Sequence, residues 1–242
     1  VTGTILDVRA VGRLCRAQGV LLVVDSAQSA GALPLSLRED GIDLLCFTGH
    51  KGLLGLQGVG GIVFADAFSW ENAAFRPLKV GGSGIRSFDR AHPAALPEAL
   101  EAGTLNVPGI ISLAAAQDEL ARRGLANILR HEQALADAFE QALEGCAGVR
   151  CYHPEGATGT ARVGIVSLDL DGMDAAVAAD RLAQNYGIAV RAGAHCAPLI
   201  HRHYGTDSMV RFSFGWENTR EDAQTCAEAV RALAHEAHTR QP

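Results

Sequence analysis

Lys51 lies in "FTGHKGLLGLQGVGG", residues 47–61, beside His50 and among glycines at 49, 52, 55, 58, 60 and 61. A lysine in so bare a setting has two readings. It is a loop charge beside turn glycines, or an amine held near apolar walls, where desolvation populates the neutral nucleophile. Thr48 and His50 offer a hydroxyl and an imidazole next to it, and N–H groups of a glycine-rich loop can help to hold a phosphate.

Two further groups could do chemistry. Asp25 closes the run "VLLVV", and an ionised carboxylate at the end of a buried strand is costly unless it meets a cation or a donor. Its plain reading is a cap for the following turn, with Gln28 three residues on as the other half of a capping box. The stretch "VRAGAHCAPL" places Arg191, His195 and Cys196 after a strand, with Gly193 allowing a tight loop. Cysteines near arginine or protonated histidine tend to be the reactive ones, whereas most free cysteines are packed in cores. The other five, Cys15, Cys46, Cys146, Cys151 and Cys226, fall to that second reading. Asp25, Lys51 and a phosphate cradle together describe pyridoxal 5′-phosphate (PLP). That cofactor needs a lysine for its aldehyde, a carboxylate for its ring nitrogen and donors for its phosphate.

The elements that must position these groups alternate. "ILDVRAVGRLCRAQG" has helical spacing and closes on Gly19. "VLLVVD", "IDLLCFTG" and "GVGGIVFA" read as strands, the first buried on both faces. Residues 69–100, rich in glycine and proline, read as a long structured loop. Helices are expected over 108–123 and 125–143, and Gly124 between them marks a boundary. After it come strands at 149–152 and 163–170, a helix at 174–186, strands "IAVRAG" and "MVRFSFG", and a last helix after Thr219 with Asp222 completing a capping box. This gives an α/β portion over 1–123 and an α+β portion over 124–242.

Composition excludes several classes. With 48% apolar and 20% charged residues, 242 in all, the chain is an ordinary globular one. A formal charge of −6 and the lack of a basic block speak against a nucleic-acid surface. No apolar run reaches the roughly 20 residues that span a bilayer. The six cysteines contain no C-x-x-C pair, so neither a zinc knuckle nor a disulfide framework is expected, and a reducing cytoplasm is the default setting. His195, Cys196, His201 and His203 form a weaker candidate metal cluster, matching no structural zinc spacing; the plain reading of His201 and His203 is a solvated loop.

"VVDSAQSAG", "FTGHKGLLGLQGVGG", "EAGTLNVPGI", "RAGAHCAP" and "VRFSFGWENTREDA" resemble, in order, the motifs of the cysteine desulfurases, class V aminotransferase-like enzymes of PLP fold-type I. The resemblance covers nearly the whole chain. It implies part of a large, mostly parallel-sheet domain followed by a smaller α+β domain. It implies that Asp25 pairs with the ring nitrogen and that Gln28 donates to the ring hydroxyl oxygen. Thr48 and His50 would hold the phosphate, Lys51 would carry the Schiff base, and Thr104 would reach the phosphate across a homodimer interface. Arg211 would clamp the substrate carboxylate with Arg191 nearby, and Cys196 would take sulfur from L-cysteine as a persulfide. A sulfur-acceptor protein or a thiol reductant must then collect it, since the short stretch after Cys196 implies limited reach. Iron–sulfur assembly is one destination. Selenocysteine lyase shares these residues, and a plain class V aminotransferase lacks the need for Cys196. Family members also carry a long segment ahead of the point where this chain begins with Val1. It supplies a ring stacked on the cofactor and a phosphate-binding turn, so these residues alone are expected to bind PLP poorly and to turn over little.

Overall fold

In the computed structural model, residues 1–71, 75–152 and 162–239 are described. They form two compact units, Asp7–Leu125 and Val1–Leu6 with Ala126–Pro242.

The Asp7–Leu125 unit begins with α1 (Val8–Gln18). Asp7 caps it by accepting from the Ala10 N–H at 2.8 Å, and Gly19 ends it in the left-handed conformation at φ 63°. Strand β1 (Val23–Asp25), the short helix α2 (Leu37–Asp40), β2 (Leu44–Thr48) and β3 (Gly60–Phe64) follow, and α3 (Val107–Arg123) ends the unit. Arg9 of α1 pairs with Asp40 at 3.0 Å and Glu39 at 3.2 Å, tying α1 to α2. β1 runs parallel to β2 and β3 runs antiparallel to it. The parallel pairing follows the expectation, but only the last three residues of "VLLVVD" enter the ladder. Val23 is 50% exposed, so β1 is an edge strand here and not one buried on both faces.

The other unit holds a four-stranded antiparallel sheet in the order β4 (Val149–Tyr152), β5 (Ile165–Leu170), β7 (Met209–Ser213), β6 (Arg191–Gly193). Helices α4 (Leu125–Leu143), α5 (Ala175–Tyr186) and α7 (Arg220–Thr239) supply the rest of its core. Inward positions of β5 and β7, among them Leu168, Val210 and Phe212, pack against Phe139 of α4 and Val230 and Leu233 of α7. The Phe139 and Phe212 ring centres are 4.6 Å apart. Asp174 caps α5, and Thr219 and Asp222 form the expected reciprocal box at α7. The first residues of the chain join this unit: Val163 N–H donates to the Gly3 carbonyl at 2.9 Å, and the Ser167 hydroxyl donates to that of Val1 at 2.7 Å. Two helices are unforeseen, the four-residue α2 and one more. Pro198–Tyr204 is a helix, α6, started by Pro198 and closed by Gly205 in the left-handed conformation.

Candidate active site

Asp25 and Thr48 end neighbouring parallel strands, with Asp25 opposite Cys46, so both carboxyl ends open onto one edge of the sheet. In open α/β sheets that edge is where ligands bind. Asp25 Oδ1 accepts from the Ala27 N–H at 2.9 Å, capping the turn over 26–33. The plain reading of Asp25 as a cap therefore holds for one of its oxygens. Gln28 makes no hydrogen bond among the described residues, so it does not complete a capping box there, and both side chains are exposed.

The second turn grows from β2. Gly49 N–H donates to the Val59 carbonyl at 2.8 Å and Gly55 N–H to that of Gly49 at 2.7 Å, closing the glycine-rich loop on itself. Thr48 Oγ1 and His50 Nδ1 are 2.9 Å apart. Lys51 is exposed, and its amine makes no ion pair or hydrogen bond among the described residues. The expected apolar surround is thus not provided by the described residues. The two turns touch backbone to backbone: a Cβ on Gly31 would lie 2.1 Å from the Gly52 carbonyl oxygen, and one on Gly52 would lie 2.6 Å from that of Ala30. Only glycines allow this approach, and it couples the Asp25–Gln28 turn to the residue next to Lys51. Thr104 is exposed two residues before Asn106, whose side chain caps α3 by accepting from the Gly109 N–H at 3.1 Å. A cavity lined by Val59, Ile62, Phe64, Leu96 and Lys79 runs beside β3 and includes none of the expected site residues.

The other unit gathers Arg191, His195, Cys196 and Arg211. Arg191 and Arg211 are cross-strand partners on β6 and β7. Burial pushes the Arg211 guanidinium below its ordinary value, and the charge of Arg191 adds to that; Arg211 Nε has no hydrogen-bond partner among the described residues. Two cations placed together without an acid favour an anion, and a guanidinium fork matches a carboxylate. Arg191 Nη2 donates to Cys196 Sγ at 3.9 Å. Of the six cysteines only Cys196 is exposed. His195 and Cys196 both adopt left-handed backbone, at φ 54° and 58°. Such conformations cost about 1–3 kcal/mol each in non-glycine residues and persist where surroundings enforce them. His195 Nε2 donates to the Arg191 carbonyl at 3.2 Å, and burial holds its imidazole below the ordinary histidine value, with Arg211, His201 and Arg191 adding to the effect.

His201 is corrected from a solvated loop to a helical position. It lies on α6, 4% exposed, its ring stacked on that of His195. Parallel rings do not converge on an ion, and among the described residues no three His, Cys, Asp or Glu side chains gather as a metal site. No helix among the described residues is long and apolar enough to cross a membrane.

The aminotransferase class-V family model matches residues 1–225. A probable cysteine desulfurase of Methanothermobacter thermautotrophicus is 33% identical over 238 residues, which are 96% of this chain and 58% of that protein. A cysteine desulfurase of Yersinia pseudotuberculosis is 31% identical, covering 96% of this chain and 56% of the relative. Among solved structures, the apo cysteine desulfurase of Thermococcus onnurineus superposes with a TM-score of 0.85 at 31% identity, covering 97% of this chain and 57% of that one. The Escherichia coli cysteine desulfurase CsdA, in an S-sulfonic acid form, gives 0.81 at 29% identity, over 98% and 57%. The chain therefore spans a little over half the length of the proteins it matches. With a family model matched along nearly its whole length, this chain belongs to the class-V aminotransferases, a family of PLP-dependent enzymes.

Proposed function

We propose that the protein to which this chain belongs is a cysteine desulfurase, converting L-cysteine to L-alanine and passing the sulfur to Cys196. The observation that carries the reading is Cys196 itself, the one exposed cysteine, set on a left-handed pair of residues with a guanidinium 3.9 Å from its sulfur. A transaminase has no use for such a thiol.

The residues of the Asp7–Leu125 unit fit the cofactor. Asp25, Gln28 and Lys51 stand on two turns in backbone contact, and the side chains of Gln28 and Lys51 have no protein partner among the described residues. Lys51 would hold the aldehyde, Asp25 would keep the ring nitrogen protonated, and Thr48 with His50 would hold the phosphate, which Thr104 would reach from a second copy in a homodimer. When bound, PLP supplies an electron sink for charge developing at the substrate Cα.

The remaining steps belong to protein groups. Arg211 and Arg191 bind and orient the substrate carboxylate. The Lys51 amine accepts the Cα proton, as a general base, and His50 is available beside it for proton movement. The Cys196 thiolate attacks the substrate sulfur: an S–S bond forms, the carbon–sulfur bond breaks, and its electron pair stays with carbon, which is then protonated. The products are alanine and a Cys196 persulfide. A second thiol, on an acceptor protein or a reductant, must take the sulfur, with iron–sulfur assembly as one outlet and the cytoplasm as a setting in which such thiols stay reduced.

The test uses the full-length protein. L-Cysteine should yield alanine and, with a thiol reductant, sulfide. Borohydride reduction should fix the cofactor to the Lys51 peptide, and Cys196→Ala should abolish sulfur release while keeping the fixed cofactor. Undiminished sulfur release from Cys196→Ala would overturn the reading.

A further inference from the structure

The Cys196 turn needs something to hold it. Two successive non-glycine residues in the left-handed region do not stay there by local preference, and neither His195 nor Cys196 is a type that favours it as strongly as asparagine or glycine does. The backbone contributes one bond, from the Ala197 N–H to the Ala194 carbonyl at 3.0 Å. The His195 ring contributes a second, to the Arg191 carbonyl. That bond places the proton on Nε2 and sets the ring plane, but one hydrogen bond leaves the ring free to swing about it.

His201 removes that freedom. Its ring is nearly coplanar in orientation with that of His195, the planes differing by 8° and the centres standing 5.9 Å apart. His201 is 4% exposed, and neither of its ring nitrogens has a hydrogen-bond partner among the described residues. What it offers its neighbour is therefore its face. The helix that carries it begins two residues after Cys196, started by Pro198, so a rigid element returns the ring beneath the turn it supports. Charged groups around the pair are Arg191 on β6 and Arg211 on β7, with Arg202 and Asp207 lining a small cavity beside His201. Neither β6 nor β7 carries a carboxylate that could face the two rings.

We propose that His201 is a positioning residue for Cys196: by stacking on His195 it locks the left-handed turn that keeps the Cys196 sulfur beside Arg191. The idea rests on Cys196 being the sulfur acceptor for its functional meaning, while the lock itself is a property of the turn.

The test compares His201→Ala, His201→Leu and His201→Phe in the full-length, cofactor-loaded protein. The first readout is hydrogen exchange at the Ala197 amide, with Leu168 in the core of β5 as the folding control. Protection at Ala197 should fall by at least about tenfold in His201→Ala and His201→Leu with Leu168 unchanged, and His201→Phe, which keeps a flat ring, should restore it. The second readout is steady-state kinetics with L-cysteine, where the first two variants should lose roughly tenfold in kcat at unchanged KM and the phenylalanine variant should regain it. If His201→Ala also loosens Leu168, the comparison of Phe with Leu decides at similar bulk. Unchanged Ala197 protection in His201→Leu overturns the lock. Sulfur release by Cys196→Ala would instead overturn the assigned function, and the exchange measurement would still decide the lock.

Discussion

Arg191 and Arg211 stand directly opposite each other on β6 and β7, two like charges on one face of an antiparallel ladder. Such a pair costs the fold roughly 0.2–1 kcal/mol relative to a neutral one, and burial adds to the cost for Arg211. A site that stores repulsion in this way is relieved by an anion. Arg211→Met should therefore move two measurements in opposite directions. The urea midpoint of the folded protein should rise, while KM for L-cysteine should rise by about 10- to 100-fold, the worth of a charge-assisted hydrogen bond of ~1.5–3 kcal/mol. A lower midpoint with unchanged KM would show that Arg211 is structural.

The approach of Gly31 to Gly52 makes a second prediction. A methyl group at position 31 would meet the Gly52 carbonyl at 2.1 Å, and the residue also has φ 82°. Overpacking and left-handed strain together put the cost of Gly31→Ala at about 3 kcal/mol. Because the two turns carry Asp25 and Lys51, cofactor affinity should fall along with the urea midpoint. Titration of the full-length apoprotein with PLP, followed in the visible spectrum, measures the first effect. Wild-type affinity in this variant would separate the two turns.

Much of this arrangement was legible in advance, for identifiable reasons. β2, β3, β5 and α7 follow from short apolar runs or a capping box, signals confined to a few adjacent residues. Helix α6 was not legible. Its seven residues make only about two turns, too few to show a helical period, and a histidine at 201 reads as a surface group until the fold buries it. The left-handed conformation of His195 and Cys196 carried no signal either, because asparagine or glycine usually marks it and the neighbours enforce it here. The Arg191–Arg211 pairing depends on strand register, which one-residue slips would change. Residues capable of chemistry were therefore easier to name than the contacts that orient them.

Cysteine reactivity offers a third check. Burial, with Glu140 adding to it, pushes the Cys151 thiol up to about 12, and burial with Asp222 pushes Cys226 up to about 11. At pH 8 only roughly one molecule in a thousand or fewer would hold either as thiolate, the nucleophilic form. Brief treatment with iodoacetamide at that pH should modify exposed Cys196 well before both, as read by peptide mass spectrometry. Equal labelling of Cys151 would mean that β4 opens far more readily than its packing suggests.

Glu132 on α4 sets a pH dependence whose sign is opposite to the common carboxylate case. Burial raises its carboxyl from an ordinary 4.5 to about 7, and its Cβ packs where a side chain on Gly164 would otherwise go. Between those two values the folded protein binds more protons at this site than the unfolded chain does, so stability falls as pH rises through the window and levels off above about 7. His195, whose value is lowered by burial, works the other way, costing stability as pH drops below its ordinary 6.5. Comparing Glu132→Gln with the parent at each pH cancels the histidine contribution. The difference in urea midpoint should be small near pH 4.5, grow in favour of the glutamine variant up to about pH 7, and stay constant to pH 8. A difference independent of pH would mean that the Glu132 carboxylate finds water in the folded state and that α4 packs less tightly over Gly164 than its contacts indicate.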